Sequence, residues 1–237
     1  MYLYRYQPIN KLTLSNLSKR KNWVADPMEF NDPFEFHLKE EVGINHRNNK
    51  KIKFVERYEN SLKIKKLIST FGVVCYSSFY DRKLLWSHYA DSHRGMCLVF
   101  DIPKEFIQKG FVKVDYGHET PFAHFNVDEA DNWSSLLKIV RTKSIDWEYE
   151  EEYRQVFTKK NVHENYPGKL IEIIFGCQTS RNDIDLVFDI IKNYYEKIVI
   201  SKMYISIYSF NLGKMSFTYE RDKKYWIPDI WDGKCIK

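Results

Sequence analysis

The chain has 237 residues, a net charge of +5 and an aromatic excess: 17 Tyr, 16 Phe and 6 Trp against only 9 Gly and 7 Pro. No two glycines stand at the spacing of G-x-G-x-x-G or G-x-x-x-x-G-K-[ST], which excludes Rossmann, kinase-type and P-loop nucleotide loops in their usual forms. At 43% hydrophobic residues the chain is expected to fold rather than stay disordered, and its mildly basic balance permits an anionic partner without requiring one.

Tyr2 to Gln7 predicts a first strand, and Asn10 caps a short helix to about Lys19. Asn22 to Ala25 reads as a short extended piece. Asp26-Pro27-Met28-Glu29 and Asp32-Pro33-Phe34-Glu35 then repeat one signal, with Asp at the cap, Pro in the first turn and Glu three residues on. Each reads as a capping box, and capping alone accounts for Asp32, Pro33 and Glu35. A helix is expected from about Lys51 to Ile68, then a buried strand over Phe71 to Ser78. Asp81 or Arg82 opens a helix through about Ser92, and Met96 to Asp101 is a second buried strand. A short helix follows Pro103, Phe111 to Tyr116 alternates like a strand, 117–131 reads as a loop, and Asn132 caps a helix to about Lys143.

Glu151 to Phe157 and Leu170 to Cys177 are strand candidates, and Thr179 or Ser180 caps an amphipathic helix to about Lys197. Ile198 to Ile200, Tyr204 to Phe210 and Lys214 to Tyr219 complete the strands, and a tail with Trp226 and Trp231 is expected to pack back on the body. Strands and helices interleave without a regular β-α rhythm. The pattern predicts one mixed α+β domain over 1–237, with a central, mostly antiparallel or split sheet flanked by helices.

Cys75, Cys97, Cys177 and Cys235 have no C-x-x-C or zinc spacing, so no metal is expected and reduced thiols are. The first residues lack the apolar core of a signal peptide, and no window is apolar for about 18 residues. The expectation is a soluble cytoplasmic protein without membrane contact.

Two segments concentrate chemistry. In Leu84 to Gly95, a helix would place Trp86, Tyr89, Ala90 and His93 on one face and His88, Asp91 and Ser92 on another. His88 beside Asp91 would make an acid–base pair; a core face with solvated polar groups accounts for the segment equally. In Lys143 to Arg154, a strand would align Glu148, Glu150, Glu152 and Arg154 against Trp147, Tyr149 and Tyr153. Crowded carboxylates would raise one pKa unless Arg154 neutralised them, an arrangement suited to acid–base work or to stabilising a developing sugar cation. Spacing by itself favours a solvated edge strand with ion pairs. Arg5 between Tyr4 and Tyr6 could hold phosphate beside a stacking ring, or pair with a carboxylate. Ser77 and Ser78 end a buried strand, where pockets form; without a G-x-S-x-G elbow, a serine hydrolase is disfavoured.

Leu3 to Tyr6, Phe30 to Glu35, Cys75 to Ser77, Trp86 to Gly95, and then Lys143, Trp147, Tyr149, Glu150, Glu152 and Arg154 together resemble an uncharacterised bacterial family, domain of unknown function 2971. More distantly, the order Arg5, Ser77 and the late Glu150-x-Glu152 resembles the Arg-Ser-Glu signature of ADP-ribosyltransferases. That resemblance implies an ADP-ribosyltransferase-like fold and NAD as substrate, in a transferase or NAD glycohydrolase of a bacterial toxin or phage-defence effector. Arg5 would hold phosphate or ribose, Ser77 would brace the pocket, and Tyr89 or Trp86 would stack on nicotinamide. Glu152 or Glu150 would bond the ribose hydroxyl. Tyr4, His93, Arg154 and Asn31 complete the binding set, and His88 has no role in that scheme. The implied partners are a nucleotide substrate and a nucleic-acid or protein acceptor. The Tyr-Ser-Ser at 76–78 departs from the usual Ser-Thr-Ser. Two alternatives stand beside it: a metal-independent nuclease or nucleotide hydrolase using His88 or His93 as acid–base with Glu150 or Glu152, and a non-enzymatic interaction module whose polar groups form a buried network.

Overall fold

A computed structural model of the chain describes residues 1–37, 62, 65–121 and 132–220. Only the last turn of the helix expected over 51–68 falls among them. The rest of that helix, part of the loop at 117–131, Cys235 and the tail with Trp226 and Trp231 lie outside the described residues.

The centre is an eight-stranded sheet. Its strands are β1 (Tyr2–Gln7), β3 (Gly72–Ser77), β4 (Met96–Asp101), β5 (Val112–Lys113), β8 (Glu152–Phe157), β10 (Lys169–Phe175), β11 (Lys197–Ile205) and β12 (Leu212–Glu220), in the order β12-β11-β10-β4-β1-β3-β8-β5. Every neighbouring pair is antiparallel except β10 and β11. A parallel pair needs a crossover, and α5 (Arg181–Tyr194) supplies it. Two short sheets stand apart: β2 (Lys21–Val24) with β9 (Val162–Asn165), and β6 (Asp115–Gly117) with β7 (Thr142–Ser144). The fold is the mixed α+β arrangement that the sequence pattern predicts.

Because successive side chains alternate across a sheet, the register sorts the core into two layers. Leu3, Tyr76, Leu98, Phe100, Ile173 and Phe175 pack with Leu17 of α1 (Lys11–Lys19) and with Ile184, Val187, Phe188 and Ile191 of α5. On the other face, Cys97, Val99 and Ile174 pack beneath Trp86 and Ala90, next to α2 (Lys83–Tyr89). Val73 packs with Phe36, Phe71 and the Leu136, Ile139 and Val140 side chains of α4 (Asn132–Arg141). The helix after β4, α3 (Lys104–Gly110), buries no residue fully.

Strand β1 pairs with β4 along its whole length, from Tyr2–Asp101 to Gln7–Met96, but with β3 only at Tyr4–Ser77. The sheet therefore parts between β1 and β3, and a cleft opens there between the two apolar patches of the second face.

Several expected boundaries shift. The helix through Ser92 ends at Tyr89, because Asp91, Ser92 and His93 take left-handed φ of 46°, 51° and 67° and turn the chain back onto the sheet. This separates His88 from Asp91, whose carboxylate binds Arg94 instead. Residues Ile145–Glu150 form a 3₁₀ helix, and Glu151 at φ 45° turns the chain into β8, so Glu148 is not aligned with Glu150 and Glu152. Helix α4 stops at Arg141 and Lys143 lies in β7. The strand expected over Phe111 to Tyr116 is broken into β5 and β6, α5 ends at Tyr194, and β11 is continuous where two strands were expected. Asp26 and Asp32 do cap, accepting from Met28 N and Phe34 N, but neither glutamate closes a box. Among the described residues no helix is long and apolar enough to cross a membrane.

Gly176 lies hard against the turn that carries His93. A Cβ there would overlap the His93 carbonyl oxygen, and this backbone contact cannot move aside as a flexible side chain would. Gly176→Ala should therefore lower stability by about 1–3 kcal/mol, read as a fall in urea midpoint at unchanged m. An unchanged midpoint would show that this close approach is not needed.

Candidate functional site

The cleft has a volume of about 360 Å³, within the ~300–1,000 Å³ typical of small-molecule sites. Tyr4 and Arg5 from β1, Cys75 and Ser77 from β3, Glu152 from β8 and Tyr89 from α2 reach it together with Glu150, Lys143 and Glu35.

Its deepest part is a five-charge cluster. Glu35, Lys143, Glu150, Glu152 and Arg154 are between 0 and 8% exposed. Arg154 grips Glu152 with two bonds, Nε to Oε1 at 2.8 Å and Nη2 to Oε2 at 2.9 Å. Its Nη2 also reaches Glu35 Oε2 at 2.7 Å, and its Nη1 donates to the Val140 carbonyl at 2.8 Å. Lys143 Nζ sits among all three carboxylates, 2.6 Å from Glu150, 2.8 Å from Glu35 and 3.5 Å from Glu152. Three carboxylates face two cations, so the fully ionised cluster carries one excess negative charge. Desolvation of charges at this depth costs several kcal/mol per ion, which only such dense bonding can offset.

The two cleft glutamates are held differently. Burial raises the pKa of Glu150, and the Lys143 ammonium and the Tyr89 hydroxyl, which donates to its Oε1 at 2.7 Å, offset that only in part. Burial also acts on Glu152, but Arg154 and Lys143 outweigh it and push its carboxyl down to about 2. One carboxylate is thus held ionised at neutral pH, and its neighbour binds a proton more readily than an ordinary glutamate. Glutamates with pKa values driven apart are the arrangement that lets one site hold a fixed charge and an acid–base group. The Tyr89 phenol is raised by burial and by Glu150, so it stays protonated and donates. Ser77 Oγ donates to the Glu150 carbonyl at 2.6 Å and accepts from Phe79 N at 3.1 Å, bracing the backbone that carries Glu150.

Arg5 lines the cleft where β1 and β3 part. Its guanidinium bonds the Asn22 side-chain oxygen and, at 3.1 Å, the Trp23 carbonyl. Both partners are neutral, and among the described residues no carboxylate pairs with it. Asn22 continues to the Tyr76 hydroxyl at 2.8 Å, which donates to Gln155 at 2.9 Å, so the arginine rests on an ordered chain.

Of the site residues predicted from sequence, Glu150, Glu152, His88, Arg5, Tyr4, Ser77, Tyr89 and Asn31 line this one cleft. Three stand elsewhere. Trp86 is fully buried in the second core layer, with Nε1 donating to the Tyr80 carbonyl at 2.7 Å, so Tyr89 and not Trp86 offers a ring to the cleft. His93 lies at a separate surface cavity, 3.1 Å from Ser87 Oγ. Arg154 lies beneath the cleft wall and acts through Glu152 and Glu35. A solvated edge strand at Glu150 to Arg154 is not what forms: the Glu150, Glu152 and Arg154 side chains are buried, and Glu151 alone of the four charged residues is partly exposed.

Lys143 and Glu35 are not among the site residues predicted from sequence. Glu35 looks like a capping residue, and its local sequence matches that of Glu29, which is exposed. Only the partners supplied by β7 and β8 distinguish them. Lys143 carried a signal in its position before Glu150-x-Glu152-x-Arg154, since a third carboxylate near one arginine requires a second cation. Among the described residues, no group of three or more His, Cys, Asp or Glu side chains is placed to hold a metal ion.

Residues 85–155 match the family model described as Protein of unknown function (DUF2971). The matched span carries Tyr89, Lys143, Glu150, Glu152 and Arg154, while Arg5, Glu35 and Ser77 lie before it. No curated protein and no solved structure matches the chain.

Glu152 holds a depressed pKa in the folded state, so its contribution to stability is present above the ordinary carboxylate value of about 4.3 and is lost as pH falls towards 2. Glu150 has the opposite sign: its contribution is present below that value and fades as pH rises through its raised folded pKa. Glu152→Gln should cost about 3 kcal/mol at neutral pH, because it leaves Arg154 short of its main partner. The gap to wild type in thermal melts should narrow between pH 4 and 2. A gap that stayed constant through that range would show that the Glu152 charge is not what is lost.

Proposed function

We propose that the cleft binds NAD and that the chain breaks its nicotinamide–ribose bond, passing ADP-ribose to an acceptor or to water. The observation that carries this reading is the pairing of Glu150 and Glu152 in one cleft with the Tyr4 and Tyr89 rings, while Arg5 lines the same cleft from the gap between β1 and β3, its guanidinium on the opposite face of the sheet and bonded, among the described residues, to neutral partners only. A guanidinium with no carboxylate partner among the described residues suits a pyrophosphate that reaches it through that gap. The excess negative charge of the cluster suits the cationic sugar that forms as nicotinamide leaves.

In this scheme Tyr4 and Tyr89 supply ring faces for the nicotinamide or the ribose edge. Glu152, fixed by Arg154, provides a standing negative charge. Glu150, held by Tyr89 and Lys143, accepts a hydrogen bond from the ribose hydroxyl and takes the proton of the incoming nucleophile. Ser77 keeps Glu150 in place through its backbone. For the histidine-based hydrolase reading, His88 lines the cleft with Glu150 and Glu152, whereas the His88–Asp91 pair does not form because Asp91 binds Arg94. A structural reading is supported for Glu35, Lys143 and Arg154, whose mutual bonds tie the 32–36 turn to β7 and β8.

Purified protein given NAD should release nicotinamide, and Glu150→Gln should slow release by at least about 100-fold while the protein remains folded. Absence of release from wild type, with water, single-stranded nucleic acid or protein as acceptor, would overturn the reading. Because the ionised form of Glu150 is the active base, the acid limb of the rate profile should lie above the usual glutamate range. Tyr89→Phe removes a bond that favours the ionised form, so it should move that limb to higher pH. A shift to lower pH would assign the limb to another group.

A further inference from the structure

A second cavity of about 310 Å³ adjoins the cleft. The two share Lys143, and their dividing wall is continued by His88, which lines the first and meets the ring of Trp147, which lines the second, at 5.9 Å. Phe34, 74% exposed, and Trp147 present aromatic surface there. His37, His118, Thr142 and Ser144 add groups that can each donate or accept. Three acids, Asp32, Glu119 and Asp146, also lie in the lining; Asp32 accepts from Phe34 N at 2.9 Å, and Asp146 bonds Ser144 Oγ at 3.1 Å.

We infer that this second cavity is the acceptor site and that its ligand is a nucleobase. The exposed Phe34 ring and the half-buried Trp147 ring can stack on any base, and mixed donors and acceptors match a neutral heterocycle that offers both. The net charge of +5 favours a polyanionic strand as the carrier of the base. The role as acceptor site rests on the NAD reading above; base binding does not. In the transfer, the ribose C1′–N bond breaks with both electrons leaving on neutral nicotinamide. A base nitrogen forms the new bond to C1′, and its proton passes to Glu150.

The same base could come from a free nucleotide or from a single strand. The test is fluorescence anisotropy of the full chain with a labelled mixed-sequence 12-mer of single-stranded DNA or RNA, in the absence of NAD. AMP, CMP, an abasic 12-mer and an arginine-rich peptide serve as competitors. Saturable binding is expected, with the abasic strand at least tenfold weaker than the base-bearing one. Phe34→Ala and Trp147→Ala should each raise the dissociation constant about tenfold with an unchanged far-UV spectrum. Competition by AMP or CMP at concentrations matching the strand would name the free nucleotide as the source, and weaker competition would name the strand. The inference is overturned if the abasic strand binds equally, if Phe34→Ala has no effect, or if only the peptide binds. Nicotinamide release without base binding would remove this inference alone. Base binding without nicotinamide release would retain the base site and remove the NAD reading.

Discussion

The two-pronged grip of Arg154 on Glu152 is the interaction on which the rest of the site depends. Both groups project from β8 two residues apart, so strand alternation places them on the same face. Arg154 is wholly buried, and it can be ionised there only because Glu152, Glu35 and the Val140 carbonyl occupy its N–H groups. Those same bonds reach three separate segments: β8, the end of α4 and the turn at 32–36. A buried arginine with these demands sets where the neighbouring segments must lie. A buried ion pair is not in itself a strong source of stability, and an apolar replacement of similar volume often does as well. What the charges add is placement of the cleft wall and a fixed field within it.

That field explains why two glutamates separated by one residue behave differently. The left-handed turn at Glu151 separates their surroundings, leaving Glu152 in the strand with Arg154 and Glu150 at the end of a 3₁₀ helix beside Tyr89. Lys143 touches both and balances neither completely. The outcome is one standing charge and one carboxylate of raised pKa within a single cleft, without a metal-ligand cluster among the described residues.

The parting of the sheet supplies the remaining constraint. A continuous β1–β3 pairing would close the gap that Arg5 lines. The Asn22, Tyr76 and Gln155 chain holds polar partners at that point, so the backbone groups lost from the ladder are accompanied by an ordered hydrogen-bonded support. The cleft is therefore a consequence of strand register, with α2 on one side and the Phe36 and α4 packing on the other.

Strand and helix identities were legible in the sequence wherever local chemistry decides them. The apolar runs of β3, β4 and β10, the Asn10 cap of α1 and the Ser180 cap of α5 each depend on neighbours a few residues away. So did the crowding of polar groups at Glu150 to Arg154. The opposite fates of Glu29 and Glu35 were not legible, because identical Asp-Pro-x-Glu contexts meet different partners only after folding. The early end of α2 was also hidden, since three non-glycine residues take left-handed conformation in a turn held by the close approach of Gly176 to His93 and by the Gln178 N–H on the His93 carbonyl rather than by their own preference. Local sequence determined which elements form and which residues are chemically equipped. Tertiary structure decided which of those residues share a cleft and which glutamate keeps its charge, because both depend on distances between segments far apart in the chain.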